Sequence, residues 1–342
     1  MTKPHEAMLW EPLDGQKVRC DLCGHRCVIA AGQYGACRMR QNVDGSLATL
    51  NYGAVIALNA DPIEKKPLFH FLPGTRSLSI AAPGCNFQCE FCQNWQISQA
   101  PRQEGGIEGQ AVSPAQIVAA AINYDCPSIS YTYTEPTVFF ELAYDTAALA
   151  HGKGIRNCFV SNGFLTPLAV RKIAPHLDAI NVDLKAFSDD TYRRVMKARL
   201  EPVLTCLKAL VAARVWVEVT TLVVPGMNDS SEELGQIARF IAGELGRSVP
   251  WHVSRFHGDF KMTATPSTPL ETLQLACRLG RDAGLKHVYC GNVTGAADEC
   301  TYCPSCREKL IDRVGFTVRR NSLKDGKCPS CGETIEGVWG RL

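Results

Sequence analysis

The sequence predicts an α/β fold that forms a partial (β/α)6 barrel. Six short β-rich runs alternate with segments of helical pattern, and such alternation is typical of a parallel sheet. The runs are SLSIAAP (77–83), SISYTYT (128–134), NCFVSNG (157–163), AINVDLK (179–185), VWVEVTTLVV (215–224) and WHVSRF (251–256). Because a complete barrel needs eight units, six units favour a partial barrel, with a doubly wound sheet as the alternative.

Helix-start signals lie between these runs. A capping Ser or Thr followed three positions later by Glu or Gln marks the first turn of a helix, and Pro is favoured directly after the cap. The sequence has these signals at Ser113/Gln116, Thr166-Pro167, Ser230/Glu233 and Thr268/Glu271. We therefore expect a helix to begin after each of these four capping residues.

The 17 cysteines divide the 342-residue chain into three parts. Twelve of them form an N-terminal, a central and a C-terminal group. These groups predict a Cys-rich metal-binding segment over 1–75, a β/α barrel over 76–293 and a small metal-binding module over 294–342. The other five cysteines lie on apolar stretches and are interpreted as small buried hydrophobic side chains.

Charge and hydropathy exclude several classes of protein. A formal net charge of +2, from 36 basic and 34 acidic residues, predicts no broad nucleic-acid or membrane patch. The opening MTKPHEAMLWEP lacks the apolar core of a signal peptide, and no run reaches the roughly 18 apolar residues of a membrane span. We therefore expect a cytoplasmic protein whose clustered, reduced cysteines bind metals.

Polar residues gather where the predicted strands end. The central cysteines follow the first run, Glu135 follows the second and Asn162 follows the third. On the fourth run Asp183 and Lys185 share one face, as the two-residue period of a strand requires. Active sites of β/α barrels lie at the carboxyl ends of the strands, so these residues predict a site there. An internally satisfied Asp183–Lys185 pair without a function is the alternative.

The central loop, GCNFQCEFCQNW, carries Cys85, Cys89 and Cys92 with the spacing C-x3-C-x2-C. Electron-transfer [4Fe–4S] clusters usually have four cysteine ligands, so three ligands leave one iron open to an exchangeable group. A zinc knuckle that takes its fourth ligand from elsewhere is the alternative.

The C-terminal group contains Cys300, which is a spare cysteine, and two copies of the sequence CPSC. Its two pairs, Cys303/Cys306 and Cys328/Cys331, flank a β-rich stretch in the layout of a zinc ribbon. Four thiolates predict a closed, structural zinc site, and a rubredoxin-like iron site is the alternative.

The N-terminal group is less regular. It consists of Cys20, Cys23, Cys27 and Cys37, with His25 inside it. Zinc is favoured because Cys-x-x-Cys-Gly is typical of a zinc knuckle, and an auxiliary iron–sulfur cluster stays open as the alternative.

The central loop resembles the CxxxCxΦC signature of the radical S-adenosylmethionine (SAM) superfamily, with Phe91 at the aromatic position Φ. The resemblance implies a partial barrel of the radical SAM type in which the open iron of the cluster binds SAM. It also implies reductive cleavage of SAM to methionine and a 5′-deoxyadenosyl radical that abstracts hydrogen from a substrate. The electron would come from a donor such as a flavodoxin or a ferredoxin.

The same resemblance implies which residues contact SAM. Glu135 stands where many members have a Gly-Gly-Glu-Pro stretch beside the SAM amino group, although Tyr133 and Thr134 replace the two glycines here. Asp183 and Lys185 resemble the Asp-x-Lys pair of glycyl-radical-enzyme activases, which implies contacts with the SAM ribose or carboxylate. Asn162 at the third strand end is the further polar group expected at the cofactor.

Three residues further along are implied as part of the same site. Val224 falls where the fifth strand usually lines the adenine pocket. His252 and His257 lie near the position where related activases place polar groups beside SAM or substrate. Because they are five residues apart, the two histidines are expected to point to opposite faces of a strand.

Nearly the whole chain resembles the radical SAM component of the AmmeMemoRadiSam system, which is itself similar to pyruvate formate-lyase activating enzymes. The segments are CDLCGHRC, DPIEKKPLFHFLPG (61–74), YTYTEPT, PWHVSRFH, HVYCGNV (287–293) and the terminal CPSC. The resemblance implies AMMECR1-like and Memo-like proteins as partners and leaves the substrate open. A glycyl-radical-enzyme activase is the alternative function, and a non-catalytic metal-binding scaffold is a remote one.

Overall fold

The computed structural model describes residues 5–102, 109–291 and 299–340. Its strands are β1 His5–Glu6, β2 Trp10–Leu13, β3 Lys17–Cys20, β4 Val28–Ile29, β5 Arg40–Val43, β6 Ser46–Thr49, β7 Ala54–Val55, β8 Ala57–Pro62, β9 Arg76–Ala81, β10 Gln110–Ala111, β11 Ser128–Tyr131, β12 Arg156–Ser161, β13 Ala179–Asp183, β14 Trp216–Val223, β15 Trp251–Arg255, β16 Val288–Gly291, β17 Thr301–Tyr302, β18 Lys309–Val314 and β19 Thr317–Asn321. Its α-helices are α1 Trp95–Ser98, α2 Pro114–Asn123, α3 Phe140–His151, α4 Pro167–Ile173, α5 Asp189–Met196, α6 Leu200–Ala212, α7 Ser231–Phe240 and α8 Leu270–Asp282. The predicted boundary between 293 and 294, and the last two residues of HVYCGNV, lie outside the described residues.

A mostly parallel sheet of eight strands forms the centre of the molecule, in the order β8-β9-β11-β12-β13-β14-β15-β16. Strand β8 is antiparallel to β9, and the other seven strands are parallel. The six predicted runs are β9 and β11 to β15, which confirms the α/β class. Within the described residues the edge strands β8 and β16 do not pair with each other, so the sheet is open. Its closure toward a barrel stays a prediction.

Two strands of this sheet were not expected from the sequence. Strand β8, with the sequence ALNADP, contains Asn, Asp and Pro, which are rare in strands. Strand β16 has only four residues, which is too short for a clear pattern. Both are stabilised by pairing with a neighbour that does have strong β propensity.

Parallel pairing brings the predicted site residues to one edge of the sheet. Strands β9, β11, β12 and β13 are adjacent and run in the same direction. The residues that follow them, which include Cys85, Glu135, Asn162 and Lys185, therefore emerge at the same carboxyl edge.

Three of the four expected helix starts are confirmed. Ser113 and Gln116 cap α2 reciprocally, since the Ser113 hydroxyl accepts from the Gln116 N–H and the Gln116 side chain accepts from the Ser113 N–H. The hydroxyls of Thr166 and Ser230 each accept a backbone hydrogen bond of 3.2 Å at the first turn of α4 and α7. These caps place the helices directly after their connecting loops.

The fourth expected helix begins one residue later than expected, and Thr268 is not its capping residue. Helix α8 begins after Pro269, which cannot cap through its side chain. The Thr268 hydroxyl instead donates to the Val223 carbonyl at 2.6 Å and accepts from the Phe256 N–H at 2.8 Å. Thr268 therefore fastens the ends of β14 and β15 to each other.

The N-terminal segment is attached to the central sheet unit by a buried ion pair. It forms two small antiparallel sheets, β1-β6-β5 and β2-β3-β4. Arg40 Nη2 lies 2.5 Å from Glu141 Oε1 on α3, and both side chains are almost fully buried. The Met8 N–H donates to the same carboxylate oxygen at 2.7 Å. The segment that carries the N-terminal cysteines is thus held against α3.

Near the start of the parallel strands lies a buried polar group, the base cluster, made of His70, Glu218, His252, His287 and Tyr289. Glu218 accepts from the His70 N–H at 2.8 Å and faces His252 Nε2 at 2.7 Å. His70 Nε2 lies 2.7 Å from the Tyr289 hydroxyl. These bonds link the 61–74 segment to β14, β15 and β16.

Among the described helices, none has the length and apolar character that crossing a membrane would require.

The base cluster predicts acid sensitivity. Burial, with repulsion from His287, lowers the pKa of His70 to about 3, and burial, with repulsion from Lys286 and Arg313, lowers the pKa of His287 to about 4. The unfolded chain binds these protons near pH 6.5, whereas the folded chain resists them, so stability falls as the pH drops below about 6.5.

We expect His287→Gln to make the free energy of unfolding less dependent on pH. The slope of that free energy against pH should fall by about 1.4 kcal/mol per pH unit between about pH 6 and 5, because one proton fewer is taken up on unfolding. Urea unfolding at pH 7, 6 and 5 measures the slope. The matched control is His5→Gln, since His5 is exposed and should leave the slope unchanged. Equal slopes for wild type and His287→Gln would contradict the prediction.

Candidate active site and metal centres

The carboxyl edge of the sheet opens into one cavity of about 520 Å³. This size lies within the range of pockets that bind small molecules and cofactors. The structure brings eight predicted site residues to its wall, namely Cys85, Cys89, Phe91, Cys92, Glu135, Asn162, Asp183 and Lys185. Residues from four segments that are distant in sequence therefore line one compartment, which we call the central cavity.

The cysteine loop begins at a turn that requires glycine. Gly84 has φ +107, and a Cβ at this position would lie 2.6 Å from Met39 Cγ. The chain can therefore turn sharply after β9, and Cys85 follows immediately. The Phe87 N–H donates to the Cys85 sulfur at 3.3 Å, which orients that sulfur within the loop. The Cys92 sulfur lies 3.3 Å from the Ser98 hydroxyl.

Two of the central thiols, Cys85 and Cys89, resist ionisation in the absence of a metal. Burial, with repulsion from Glu135, raises the pKa of Cys85, and burial raises the pKa of Cys89 to about 12 although Lys185 opposes that shift. Metal binding releases the protons of such thiols, because the thiolate is the ligand. Three thiols at one wall of a cavity, with Lys185 nearby to balance negative charge, fit the ligand set of an iron–sulfur cluster with one open iron.

Glu135 holds the loop that carries Asn162. Its carboxylate accepts hydrogen bonds from the Thr137 hydroxyl at 2.6 Å, the Ser161 hydroxyl at 2.8 Å and the Asn162 N–H at 2.8 Å. Burial raises its pKa, and these donors act in the opposite direction. Asn162 in turn places its amide nitrogen 3.7 Å from the Cys85 sulfur. Glu135 thus positions the strand end beside the cysteine loop.

Asp183 and Lys185 form an ion pair of 2.8 Å in the cavity wall. The Lys185 ammonium lies 5.8 Å from the centre of the Phe91 ring, and the neighbouring Asp183 holds the pKa of Lys185 above its usual value despite burial. Asp183 remains 34% exposed, so part of its carboxylate is free to accept a ligand hydroxyl. The pair offers one cation and one hydrogen-bond acceptor beside the central cysteines.

The other three predicted cofactor residues are not among the described residues that line the central cavity. Val224 is fully buried next to Asn228. His252 belongs to the base cluster, where its ring nitrogen faces Glu218. His257 is exposed and hydrogen-bonds to Ser267 at 3.0 Å. Contacts of these residues with SAM stay a prediction without support from the cavity.

The cavity also contains residues that were not predicted as part of the site. Lys65, Lys66 and Tyr133 line it, and Asp61 contacts all three of them. The adjacent lysines of the DPIEKKP segment were a possible signal, but β8 was not recognised as a strand of the sheet. Its position against β9 is what brings the segment to the cavity.

The four C-terminal cysteines are arranged for a single metal ion. Among the described residues, Cys303, Cys306, Cys328 and Cys331 are the one group of three or more ligand side chains whose donor atoms lie within 4.8 Å of one another. The Cys303–Cys331 and Cys306–Cys328 sulfur pairs are each 3.6 Å apart. A tetrahedral zinc site with bonds of about 2.3 Å has edges of about 3.8 Å, so the four sulfurs fit such an ion.

The four N-terminal cysteines line one pocket but stand farther apart than those of the C-terminal group. Cys20, Cys23, Cys27 and Cys37 share this pocket with Asn86 of the central loop. Burial raises the pKa of each thiol, and repulsion from Cys20 and Cys37 adds to the shift at Cys23. The four thiols therefore face a common space but, unlike the C-terminal thiols, they do not form a group whose sulfurs all lie within 4.8 Å of one another.

The N-terminal pocket adjoins the central cysteine loop. His25 Nε2 lies 2.8 Å from the Asn86 carbonyl oxygen, and Asn86 Oδ1 accepts from Asn162 at 2.7 Å. Arg102 donates to the carbonyl oxygens of both Ala36 and Cys85, at 2.9 and 2.8 Å. The N-terminal and the central cysteine sites are thus connected by hydrogen bonds through His25, Asn86 and Arg102.

Residues 79–241 match the radical SAM superfamily, a class of radical-generating enzymes, so the chain contains a domain of that class. The match implies SAM and an iron–sulfur cluster as cofactors. The chain is similar to the uncharacterized protein MJ0808 of Methanocaldococcus jannaschii, with 47% identity over 335 residues that cover 97% of this chain and 99% of that protein. It is also 24% identical over 169 residues to a putative glycyl-radical enzyme activating enzyme, MJ1632, of the same organism, covering 48% of this chain and 62% of that one.

A solved structure supports the fold. SuiB of Streptococcus suis, bound to S-adenosylmethionine, superposes with a TM-score of 0.50 at 13% identity, covering 71% of this chain and 56% of that chain. At this identity the likeness extends to the fold alone. Together with the family match over residues 79–241, this likeness confirms the predicted α/β fold of the radical SAM type.

Proposed function

We propose that the protein cleaves SAM reductively at a [4Fe–4S] cluster held by Cys85, Cys89 and Cys92. The observation that carries the proposal is that these three thiols line the same central cavity as the Asp183–Lys185 pair. When bound, the cluster and SAM accept one electron from a donor such as a flavodoxin or ferredoxin, release methionine and supply a 5′-deoxyadenosyl radical that removes a hydrogen atom from the substrate.

The residues of the cavity bind and orient the cofactor. The Lys185 ammonium is suited to the SAM carboxylate, and the exposed part of Asp183 is suited to a ribose hydroxyl. Glu135 contributes by holding Asn162 beside Cys85, and Phe91 covers the cysteine loop near Lys185. The buried wall of the cavity keeps water from a reactive radical.

The experiment that tests this function is SAM cleavage by the reduced, anaerobically reconstituted protein. We expect 5′-deoxyadenosine and methionine in equal amounts after addition of SAM and a strong one-electron reductant. A protein that contains about four irons at the central site but releases neither product would contradict the proposal. AMMECR1-like and Memo-like proteins are proposed as partners, and their addition should increase the yield when the substrate is present.

An activase of a glycyl-radical enzyme is the second candidate, because the chain is similar to a putative enzyme of that type. Such an activase removes a hydrogen atom from a glycine of a partner protein. A glycyl-radical signal in an electron paramagnetic resonance spectrum of the partner would support it. Turnover of another molecule without that signal would favour the first candidate.

We further propose that the N-terminal cysteines hold a second iron–sulfur cluster rather than zinc. Their sulfurs share one pocket without the close grouping of the C-terminal four, whose sulfur pairs are 3.6 Å apart, and this difference favours a multi-atom cluster over a single ion. The shared contacts through Asn86 and Arg102 give electrons a short route to the central cysteines.

The metal content distinguishes these assignments. We expect about eight irons and one zinc per chain in the reconstituted protein, and about four irons in a variant with Cys20 and Cys23 replaced by alanine. The variant with Cys85, Cys89 and Cys92 replaced should also retain about four irons. Two zinc ions and about four irons in the wild-type protein would assign zinc to the N-terminal group instead.

A further inference from the structure

We infer that the central cavity contains a binding site for an anionic group, a carboxylate or a phosphate, of a small-molecule substrate. The site is formed by Asp61, Lys65, Lys66 and Tyr133, which we call the lysine corner. The inference rests on the proposed function, because it takes the central cavity as the compartment where the substrate reacts.

The lysine corner has one carboxylate and two ammonium groups. Asp61 Oδ1 accepts from Lys65 Nζ at 3.0 Å, and Asp61 Oδ2 accepts from Lys66 Nζ at 2.8 Å and from the Ser79 hydroxyl at 2.8 Å. The Tyr133 hydroxyl donates to the same Oδ2. Both carboxylate oxygens are therefore occupied, and the corner retains one net positive charge at the cavity wall.

Lys66 is an unusual residue to bury. Its side chain is 2% exposed, and its ammonium lies 4.4 Å from the centre of the Tyr133 ring. A buried lysine is costly unless it is paired, and here two lysines share one carboxylate. A bound anion would supply the missing negative charge, which gives this arrangement a physical reason.

The electrostatics of the corner keep both charge types ionised. Burial opposes ionisation of Asp61, but hydrogen bonds from Lys66, Tyr133 and Lys65 outweigh it and hold the pKa of this carboxyl well below its usual range. Burial lowers the pKa of Lys66, and the bond to Asp61 acts in the opposite direction. Burial and the bond to Asp61 raise the pKa of Tyr133 to about 12, so its hydroxyl stays protonated. The one hydrogen of the Tyr133 hydroxyl goes to Asp61, so the two ammonium groups provide the donors for an anion.

The Asp61 end of the lysine corner lies deeper along β9 than the cysteine loop. The Asp61 carboxylate contacts Ser79, which is two residues before the end of β9 at Ala81, whereas the cysteine loop begins only beyond that end. Two strand residues span about 7 Å. SAM at the central cysteines already has Lys185 as a cation, so the lysine corner is available to a second ligand.

An unpaired hydroxyl lies elsewhere on the wall of the same cavity. Thr220 lines the central cavity, is only 6% exposed, and its Oγ1 has no hydrogen-bond partner among the described residues. A buried hydroxyl without a partner costs free energy that a ligand group would recover. Thr220 lies on β14 opposite Asp183, so it supports a ligand in the cavity and leaves the anion to the lysine corner.

Backbone strain at Tyr133 supports a specific role for its side chain. Tyr133 has φ +64, a conformation that a bulky residue rarely adopts. The cost is of order 1–3 kcal/mol and persists only where the surroundings enforce it. This conformation directs the ring into the cavity, where its hydroxyl meets Asp61 and its face meets Lys66.

The test measures anion affinity directly, without radical chemistry. The reconstituted holoenzyme, in a buffer free of carboxylate and phosphate, is titrated separately with inorganic phosphate and with acetate, and binding is followed by calorimetry and by the unfolding temperature. We expect saturable binding of at least one of the two ions. Comparing the two titrations tells a phosphate site from a carboxylate site.

Variants of the lysine corner decide whether the binding is specific. Lys66→Met should weaken the affinity about 10-fold or more, Lys65→Met by a smaller factor, and Lys66→Arg should retain most of it. Lys153→Met is the matched control, because Lys153 is exposed and lies outside the cavity. If Lys66→Met does not fold, Lys65→Met and the double variant Asp61→Asn/Lys66→Met, which removes the charge pair, provide the comparison.

Three results would overturn the inference: no binding of either ion at tens of millimolar, equal affinity in wild type and all lysine variants, or a loss of SAM affinity in Lys66→Met that matches the loss of anion affinity. The last would assign Lys66 to the SAM site. Failure of the proposed function is seen separately, as wild-type protein that forms no 5′-deoxyadenosine.

Discussion

Replacement of Cys89 by alanine is expected to lower the rate of 5′-deoxyadenosine formation by about 1,000-fold or more, because a cluster that loses one of three protein ligands is not retained. Cys89 is buried in the wall of the central cavity, and no other cysteine of the described chain lines that cavity besides Cys85 and Cys92. A substitute ligand is therefore out of reach. Anaerobic iron analysis and product quantification by chromatography measure the two effects together.

The matched control for this variant is Cys126→Ala. Cys126 is also buried, at 3% exposure, but it lies between α2 and β11 and outside the three cysteine groups. We expect it to retain iron and to form 5′-deoxyadenosine at close to the wild-type rate. A Cys89→Ala protein that binds the full complement of iron and cleaves SAM would remove these cysteines from the mechanism.

Replacement of Arg313 by methionine is expected to destabilise the protein by about 3–5 kcal/mol, because it leaves a buried carboxylate without its cation. Arg313 lies on β18 and is fully buried, with its guanidinium 3.7 Å from Glu64. It also donates to the Phe69 carbonyl and the Thr301 hydroxyl, each at 2.7 Å. These contacts attach the strands of the C-terminal module to the 61–74 segment.

Chemical unfolding in the presence of zinc measures this loss of stability, and two further variants test its cause. Arg319→Met, on the exposed neighbouring strand β19, should change the free energy of unfolding by no more than about 0.5 kcal/mol. Adding Glu64→Gln to Arg313→Met should recover part of the stability, because burial raises the pKa of Glu64 and Arg313 opposes that shift. An Arg313→Met protein as stable as the wild type would show that the ion pair contributes nothing to the attachment.

The local patterns of the sequence predicted much of the fold and part of the site. Strands β9 and β11 to β15, and the caps at Ser113, Thr166 and Ser230, depend on residues within a few positions of each other. The same holds for the spacing of Cys85, Cys89 and Cys92. Such short-range signals are present in the sequence because the backbone itself sets their period and spacing.

Thr268 shows where this reasoning fails. Its neighbours in sequence fit a helix cap, but its hydroxyl bonds to Val223, which is 45 residues away. His252 shows the same limit at the site, since its position on β15 suggested a SAM contact and its partner is Glu218 on β14. Which partner a side chain meets depends on strand order and register, and neither is visible in one segment.

The sequence by itself determined the class of this protein: three cysteines after a strand, a repeated β/α pattern and two further cysteine groups. Only the tertiary structure decided what surrounds those cysteines. The pairing of β8 with β9 brings Asp61, Lys65 and Lys66 into the central cavity, and the fold of the N-terminal segment sets its four cysteines beside Asn86. The physical reason is that spacing within a motif is covalent, whereas the shape and charge of a cavity arise from contacts between segments distant in the chain.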